Sequence, residues 1–217
     1  MISKKTVNFL KAAVLPVALY LILFNPLFGD QDQNINIKVG SALLSIGISL
    51  TQLAVTIFLM VKFHKISLAD TGLFTFKAKT LLNLIPSLLI VWLIYFAGLL
   101  AMLLITGSAE DPAIITIELH APVWLLCLMM LCIGYCEECF FRIYLVETIA
   151  TVLGKKAAIL ISALLFAIGH MYQGFLAVSI IFFIGLGFQW IYARYRSLHV
   201  NAITHAVFDV ISVMIKA

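Results

Sequence analysis

The sequence predicts an all-α membrane protein, a polytopic transmembrane helical bundle of about seven spans. Three observations predict it: too few charges for a wet surface, apolar stretches of bilayer-crossing length, and basic residues in alternate loops. Of 217 residues, 64% are hydrophobic and 11% charged, against about 25% charged in an ordinary soluble domain. Lipid must therefore solvate most of the surface. No stretch is polar enough for a separate soluble domain, so 1–217 reads as one membrane domain with N-terminal helices over 1–106. The net charge of +4 comes with no basic run or aromatic-basic interleaving, which excludes a nucleic-acid partner.

A helix needs about 20 apolar residues to cross the hydrocarbon core. The candidates are 7–28, 39–63, 80–106, 121–146, 156–171, 174–193 and 199–216. The first has a basic flank of Lys4, Lys5 and Lys11 without a small-residue cleavage site, so it reads as an uncleaved signal anchor. The fifth and seventh are short and are expected to tilt or to hide among their neighbours. Asp30–Asn36 and Gly107–Pro112 are rich in turn formers and read as loops. Segment 64–79 reads as an inner connection along the interface.

Charges give the orientation. Lys4, Lys5 and Lys11 precede the first span, and Lys62, Lys65, Lys77 and Lys79 follow the second. Lys155 and Lys156 follow the fourth, and Arg194 and Arg196 the sixth. The other loops carry Asp30, Asp32, Glu110, Asp111 and Glu118, with Lys38 as the exception. The positive-inside rule then predicts a multi-pass protein of the cell membrane with a cytoplasmic N-terminus and an outer C-terminus.

Against this background, five ionisable residues stand inside apolar segments: Glu137, Glu138, His170, His205 and Asp209. Each costs roughly 2.5–3.5 kcal/mol at mid-bilayer, so each needs partners and usually a function. Glu138 and Arg142 are four apart and can pair on one helical face. Glu137 points about 100° away, which leaves it free for chemistry while Glu138 is structural. A buried ion cluster that merely fixes packing is the alternative. Phe166 and His170 share a face of the fifth span, where Ala163, Ala167 and Gly169 allow close helix approach. On the seventh, Asn201, His205 and Asp209 form one polar stripe that must face the bundle interior or a water-filled cavity. Helical rise puts Glu137 about 14 Å, His205 about 10 Å and His170 about 22 Å from the inner helix ends. A chain break near Gly169 or Gly174 would bring His170 to the others.

The motifs EECFFR (137–142), FAIGH (166–170) and HAVFD (205–209) follow one another on successive hydrophobic helices. Together they resemble the CAAX-processing and bacteriocin-processing membrane proteases, the Abi or Rce1-like family, whose pattern is EExxxR, FxxxH, HxxxN. The resemblance covers 121–216 and places a catalytic core in the last four helices. It implies an intramembrane endopeptidase in which Glu137 activates water and His170 holds it. Glu138 and Arg142 would brace the site, and His205 with residue 209 would stabilise the oxyanion. One position departs, since Asp209 stands where the family has Asn. A carboxylate there could be neutral and donate as Asn does, or it could accept from His205 and keep that ring charged and oriented; the second reading is preferred.

The resemblance implies no cofactor. Zinc held by Glu137, His170, His205 and Asp209 is the alternative, although the helical signature HExxH is missing. Cys132, Cys136 and Cys139 share a helical face, with Cys127 further out, and read as packing residues rather than redox or thiol catalysts. The rival functional class is a non-catalytic membrane protein acting in bacteriocin self-immunity or regulation by binding. A proton-coupled transporter ranks below it, since no inverted repeat is visible. The expected partners are the bilayer and a peptide or protein substrate near the cytoplasmic leaflet. His64, His120 and His199 sit near helix ends and read as interfacial.

Overall fold

The computed structural model describes residues 10–23, 34–73, 76, 78–107, 113 and 115–217. The expectations for Lys4, Lys5, Asp30, Asp32, Lys77, Glu110 and Asp111 lie outside the described residues, as does the side chain of Lys79. The chain begins with a π turn, Leu10–Val14, and helix α1, Leu15–Leu23. Strand β1 (Asn34–Ile37) leads into α2 (Val39–Lys62). A 3₁₀ turn, Leu68–Thr71, and a short helix, Ala78–Leu82, precede α3 (Leu84–Thr106). Strand β2 (Thr116–Leu119) precedes α4 (Val123–Glu138), which continues through a π-helical turn, Cys139–Leu145, into α5 (Val146–Leu153). Then come α6 (Lys155–Ile168), α7 (Phe175–Tyr195) and α8 (Leu198–Lys216).

The all-α membrane bundle stands. Among the described residues five helices are long and apolar enough to cross a membrane: Val39–Lys62, Thr80–Thr106, Val123–Leu153, Phe175–Tyr195 and Leu198–Lys216. The last, read as short, has 19 residues. The fifth candidate is shorter than read, because α6 has 14 residues and rises only about 21 Å against a hydrocarbon core of about 30 Å. Gly154, at φ 79°, ends α5 and starts α6 without a loop.

Two features depart from the sequence reading. Residues 34–36 are not loop: β1 pairs in parallel with β2, Ile35 opposite Ile117. β-Branched Ile35, Ile37 and Ile117 favour the extended form, and Ile37 and Ile117 bury their side chains against α4 and α8. His199 is not simply interfacial. Its ring meets the Tyr135 hydroxyl at 2.6 Å and donates from Nε2 to the Leu73 carbonyl at 2.8 Å, tying segment 64–79 to α4 and α8. Gly72 (φ 74°) sits so close to the backbone of Arg196 and Ser197 that a Cβ would not fit.

α4 and α8 lie against each other at the centre. Gly134 makes this possible: a Cβ there would approach the Ala202 carbonyl oxygen to 2.7 Å. Close approach through a glycine is how helices meet where lipid offers no hydrophobic drive. The contact sets the register of everything that follows, because Glu138 stands one turn from Gly134 on α4 and His205 follows Ala202 on α8.

Candidate active site

Glu138 ends α4, where the helix loosens into the π turn. Single π turns inside α-helices are rare and recur at functional sites. Its side chain is completely buried and Arg142, on the π turn, is 1% exposed. Oε2 accepts from Arg142 Nε at 3.0 Å and from Asn201 Nδ2 at 2.7 Å. Oε1 accepts from His205 Nδ1 at 3.0 Å. Three donors on two helices thus satisfy one buried carboxylate, which is what a charge away from water requires. The Arg142 guanidinium lies 4.4 Å over the Phe166 ring, with Phe141 and Phe188 within 6 Å. Its Nη1 and Nη2 make no hydrogen bond among the described residues, so aromatic faces supply their electrostatic surroundings.

The α8 stripe turns inward as a unit. Asn201 is buried, and its Nδ2 also donates to the Phe188 carbonyl at 2.9 Å, fastening α7 to the Glu138 network. His205 stacks on the Phe188 ring (4.8 Å, 29°) and meets Phe166 edge-on at 5.7 Å. Because Glu138 only accepts, Nδ1 carries a hydrogen. The other nitrogen, Nε2, faces Asp209 Oδ2 at 3.4 Å and Glu137 Oε2 at 3.8 Å. One imidazole is therefore ringed by three carboxylates.

Those carboxylates differ in surroundings. Glu138 is closed off, whereas the side chains of Glu137 and Asp209 keep 17% and 27% of their surface. Glu137 Oε2 has no hydrogen-bond partner among the described residues. His170 lies just past α6, where the chain breaks into a 3₁₀ turn, Met171–Gln173. Its Nδ1 donates to the Phe166 carbonyl at 2.8 Å, and its ring packs on Phe166. A neutral ring held that way presents the Nε2 lone pair as an acceptor.

Glu137, His170, His205 and Asp209 line one cavity of about 450 Å³, with Phe166 and Phe188 at its floor. The break after α6 brings His170 to the others, as the three helical depths required. Glu138 and Arg142 do not line the cavity but stand behind it. The sequence reading saw Asn201 in the stripe without seeing its attachment to Glu138, and it had no signal for Phe188. Spacing shows which residues share a face, not what that face meets.

Among the described residues no three His, Cys, Asp or Glu side chains are arranged to hold a metal ion. All four cysteines are free. Cys136 Sγ points to Gln52 and Cys139 Sγ to Met60 Sδ, so both pack against α2, and no cysteine lines the cavity.

A family model described as type II CAAX prenyl endopeptidase Rce1-like matches residues 119–211. Curated proteins and solved structures give no match. The matched stretch contains all three motifs, the Gly134 contact that joins α4 to α8, and each ionisable group of the site. Over residues 119–211 the chain is therefore similar to the Rce1-like endopeptidases, a family of proteases.

Proposed function

We propose that the chain is an intramembrane endopeptidase of the CAAX-processing type, in which Glu137 activates the water that cleaves a peptide bond. One observation carries this reading: of the three carboxylates around His205, Glu137 lines the cavity with an oxygen that accepts no hydrogen bond among the described residues, while Glu138 is locked behind it. Glu137 takes a proton from water as the water oxygen adds to the carbonyl carbon. The carbonyl electron pair moves to oxygen, and the oxyanion accepts hydrogen bonds from the His205 side of the cavity. When the tetrahedral intermediate collapses, the C–N bond breaks and Glu137 returns its proton to the leaving amine. General-base assistance of this kind contributes about 10²–10⁴-fold.

The bracing groups fit their parts. His170 Nε2 accepts from the water and aims it, because its Nδ1 is fixed on Phe166. His205 is held in one orientation by Glu138 and by the Phe188 face, with Nδ1–H on Glu138 and Nε2–H directed to the cavity. Asp209, 3.4 Å from His205 Nε2, acts as the acceptor that orients the ring rather than as a stand-in for Asn. The protein sits in the cell membrane with a cytoplasmic N-terminus, and its substrate is a peptide or protein. No cofactor takes part in these steps.

The test compares wild type with Glu137→Gln and Glu137→Ala, each checked for membrane level. Peptides released by membranes or cells are profiled by mass spectrometry. The expected outcome is a set of cleaved peptides present in wild type and reduced about 10²–10⁴-fold in both variants. Identical profiles in all three, with a bacteriocin-resistance phenotype that persists, would replace the peptidase with a binding or immunity protein.

A further inference from the structure

The cavity over Glu137 has a direction. From the floor at Glu137, His205 and Phe188 its lining passes Ile133 and Met129 on α4 and Ser212 and Lys216 on α8. It ends at Ser45 and Ser41 near the start of α2 and at Ile35–Ile37 of the ribbon. Every helix that lines it contributes residues between the floor and the same end of the bundle, the end bearing β1 and β2. Val123 to Glu137 is a helical rise of about 21 Å, so the carboxylates lie far below the ribbon. The opposite end, nearer in axial distance, is walled by the buried Glu138–Arg142–Asn201 network and by Phe140, Tyr144 and Leu145, all fully buried. The helix ends and connections on that side bear Lys62, Lys65, Lys155, Lys156, Arg194 and Arg196 against Asp70 and Glu147, and in the sequence the connections that lead into β1 and β2 hold acidic rather than basic residues. Cations collect on the cytoplasmic side.

We infer that the peptide reaches Glu137 from the ribbon end, which is the non-cytoplasmic face of the membrane, and not from the cytoplasmic leaflet to which the axial depth of Glu137 pointed. The inference rests on the peptidase reading above. The path suits an extended chain: it is walled by aliphatic side chains in its middle and by Asn36, Ser41 and Ser45 at its mouth. A segment with apolar residues beside the scissile bond and polar residues beyond them matches that order.

Two measurements test this. Ser45 lines the mouth and is half-buried, so Ser45→Trp narrows the path without touching a group of the site. Ser67→Trp places the same bulk on an exposed position at the basic end. With a synthetic peptide carrying a sequence that wild type releases, Ser45→Trp is expected to cut about 100-fold more slowly, the scale of lost substrate positioning, and Ser67→Trp at the wild-type rate. Wild-type cutting by Ser45→Trp with loss in Ser67→Trp overturns the path. The second measurement needs no activity. With Cys127 and Cys132 replaced by Ala, Ser45→Cys should react with a membrane-impermeant maleimide in intact cells, and Ser67→Cys only after permeabilisation. The reverse pattern overturns the assigned face. A wild type that cuts nothing would remove the peptidase reading while the labelling still decides which face the cavity serves.

Discussion

α3 and α4 are both apolar enough to cross a membrane, yet they solve opposite problems. In the hydrophobic window of Thr80–Thr106 only 11% of residues are buried, against 50% in that of Val123–Leu153. α3 shows Leu93, Leu100, Leu104 and Ile105 to its surroundings, and two of its hydroxyls bond to their own helix: Ser87 donates to the Asn83 carbonyl and Thr106 to that of Met102. α4 instead carries two carboxylates, and the buried one, Glu138, draws its partners from Arg142 on the helix's own continuation and from Asn201 and His205 on α8. In hydrocarbon a polar group must find its partner inside the protein. A helix that satisfies its polar groups alone can face lipid, whereas one that borrows partners must sit at the centre and fixes its neighbours' register by doing so.

The largest test of that difference removes a borrowed partner. Arg142→Ala leaves Glu138 fully buried without its cation, and breaking a buried pair this way costs about 3–5 kcal/mol. We expect a lower melting temperature in detergent, a reduced membrane level and no cleavage. An Arg142→Ala protein as stable as wild type would mean that Asn201 and His205 suffice, and the comparison between the helices would lose its energetic basis.

Position 209 comes next, and it separates orientation from charge. Asp209→Ala removes the group beside His205 Nε2 and is expected to lower cleavage by about 10²–10³-fold, the scale of one lost oxyanion-side contact. Asp209→Asn restores the family pattern and should keep or improve the rate. Equal losses in both variants at normal protein level would assign a carboxylate-specific role to Asp209 and sink the oxyanion account of this side of the site. A smaller effect is expected one turn before the carboxylates. Gly134→Ala would push its methyl into the Ala202 carbonyl, and overpacking a tight contact costs about 1–3 kcal/mol. Because the strained contact is the one that carries Glu138 to His205, cleavage should fall more than melting temperature does. A parallel fall in both would show that α4 and α8 need no such closeness for chemistry.

What the sequence makes visible, and what it hides, follows the same division. Ionisable residues in apolar helices stand out because their cost is local, so Glu137, Glu138, His170, His205 and Asp209 could be picked singly and the Glu138–Arg142 pair read from its spacing. The partnership of Asn201 with Glu138 spans 63 positions and leaves no periodic trace. The ribbon is hidden for the same reason: Ile35 gains its strand only by meeting Ile117, and four-residue strands among turn formers read as loop. The π turn at Cys139–Leu145 has no Pro or Gly to announce it. Its residues are all buried, and it is where Arg142 meets Glu138. Depth along each helix was legible, but the direction in which the cavity runs was not, since that depends on which ends the side chains of many elements leave unfilled.

The smallest expected effect completes the comparison from the lipid side. Leu104 on α3 is 77% exposed, and Leu104→Ala shortens a side chain that touches little protein. Leu→Ala in a packed core typically costs about 2–5 kcal/mol, whereas surface substitutions away from special features stay within about 0.5 kcal/mol. If α3 is solvated by lipid at this point, alkyl chains take the place of the missing methyl groups and no cavity remains. Melting temperature and cleavage should then match wild type, in contrast to Arg142→Ala on a helix of similar apolar length. A core-sized loss at Leu104 would mean that another protein surface, a second copy of this chain or a partner, covers α3 in the membrane. The monomer's division between lipid-facing and centre-forming helices would then have to be redrawn around that contact.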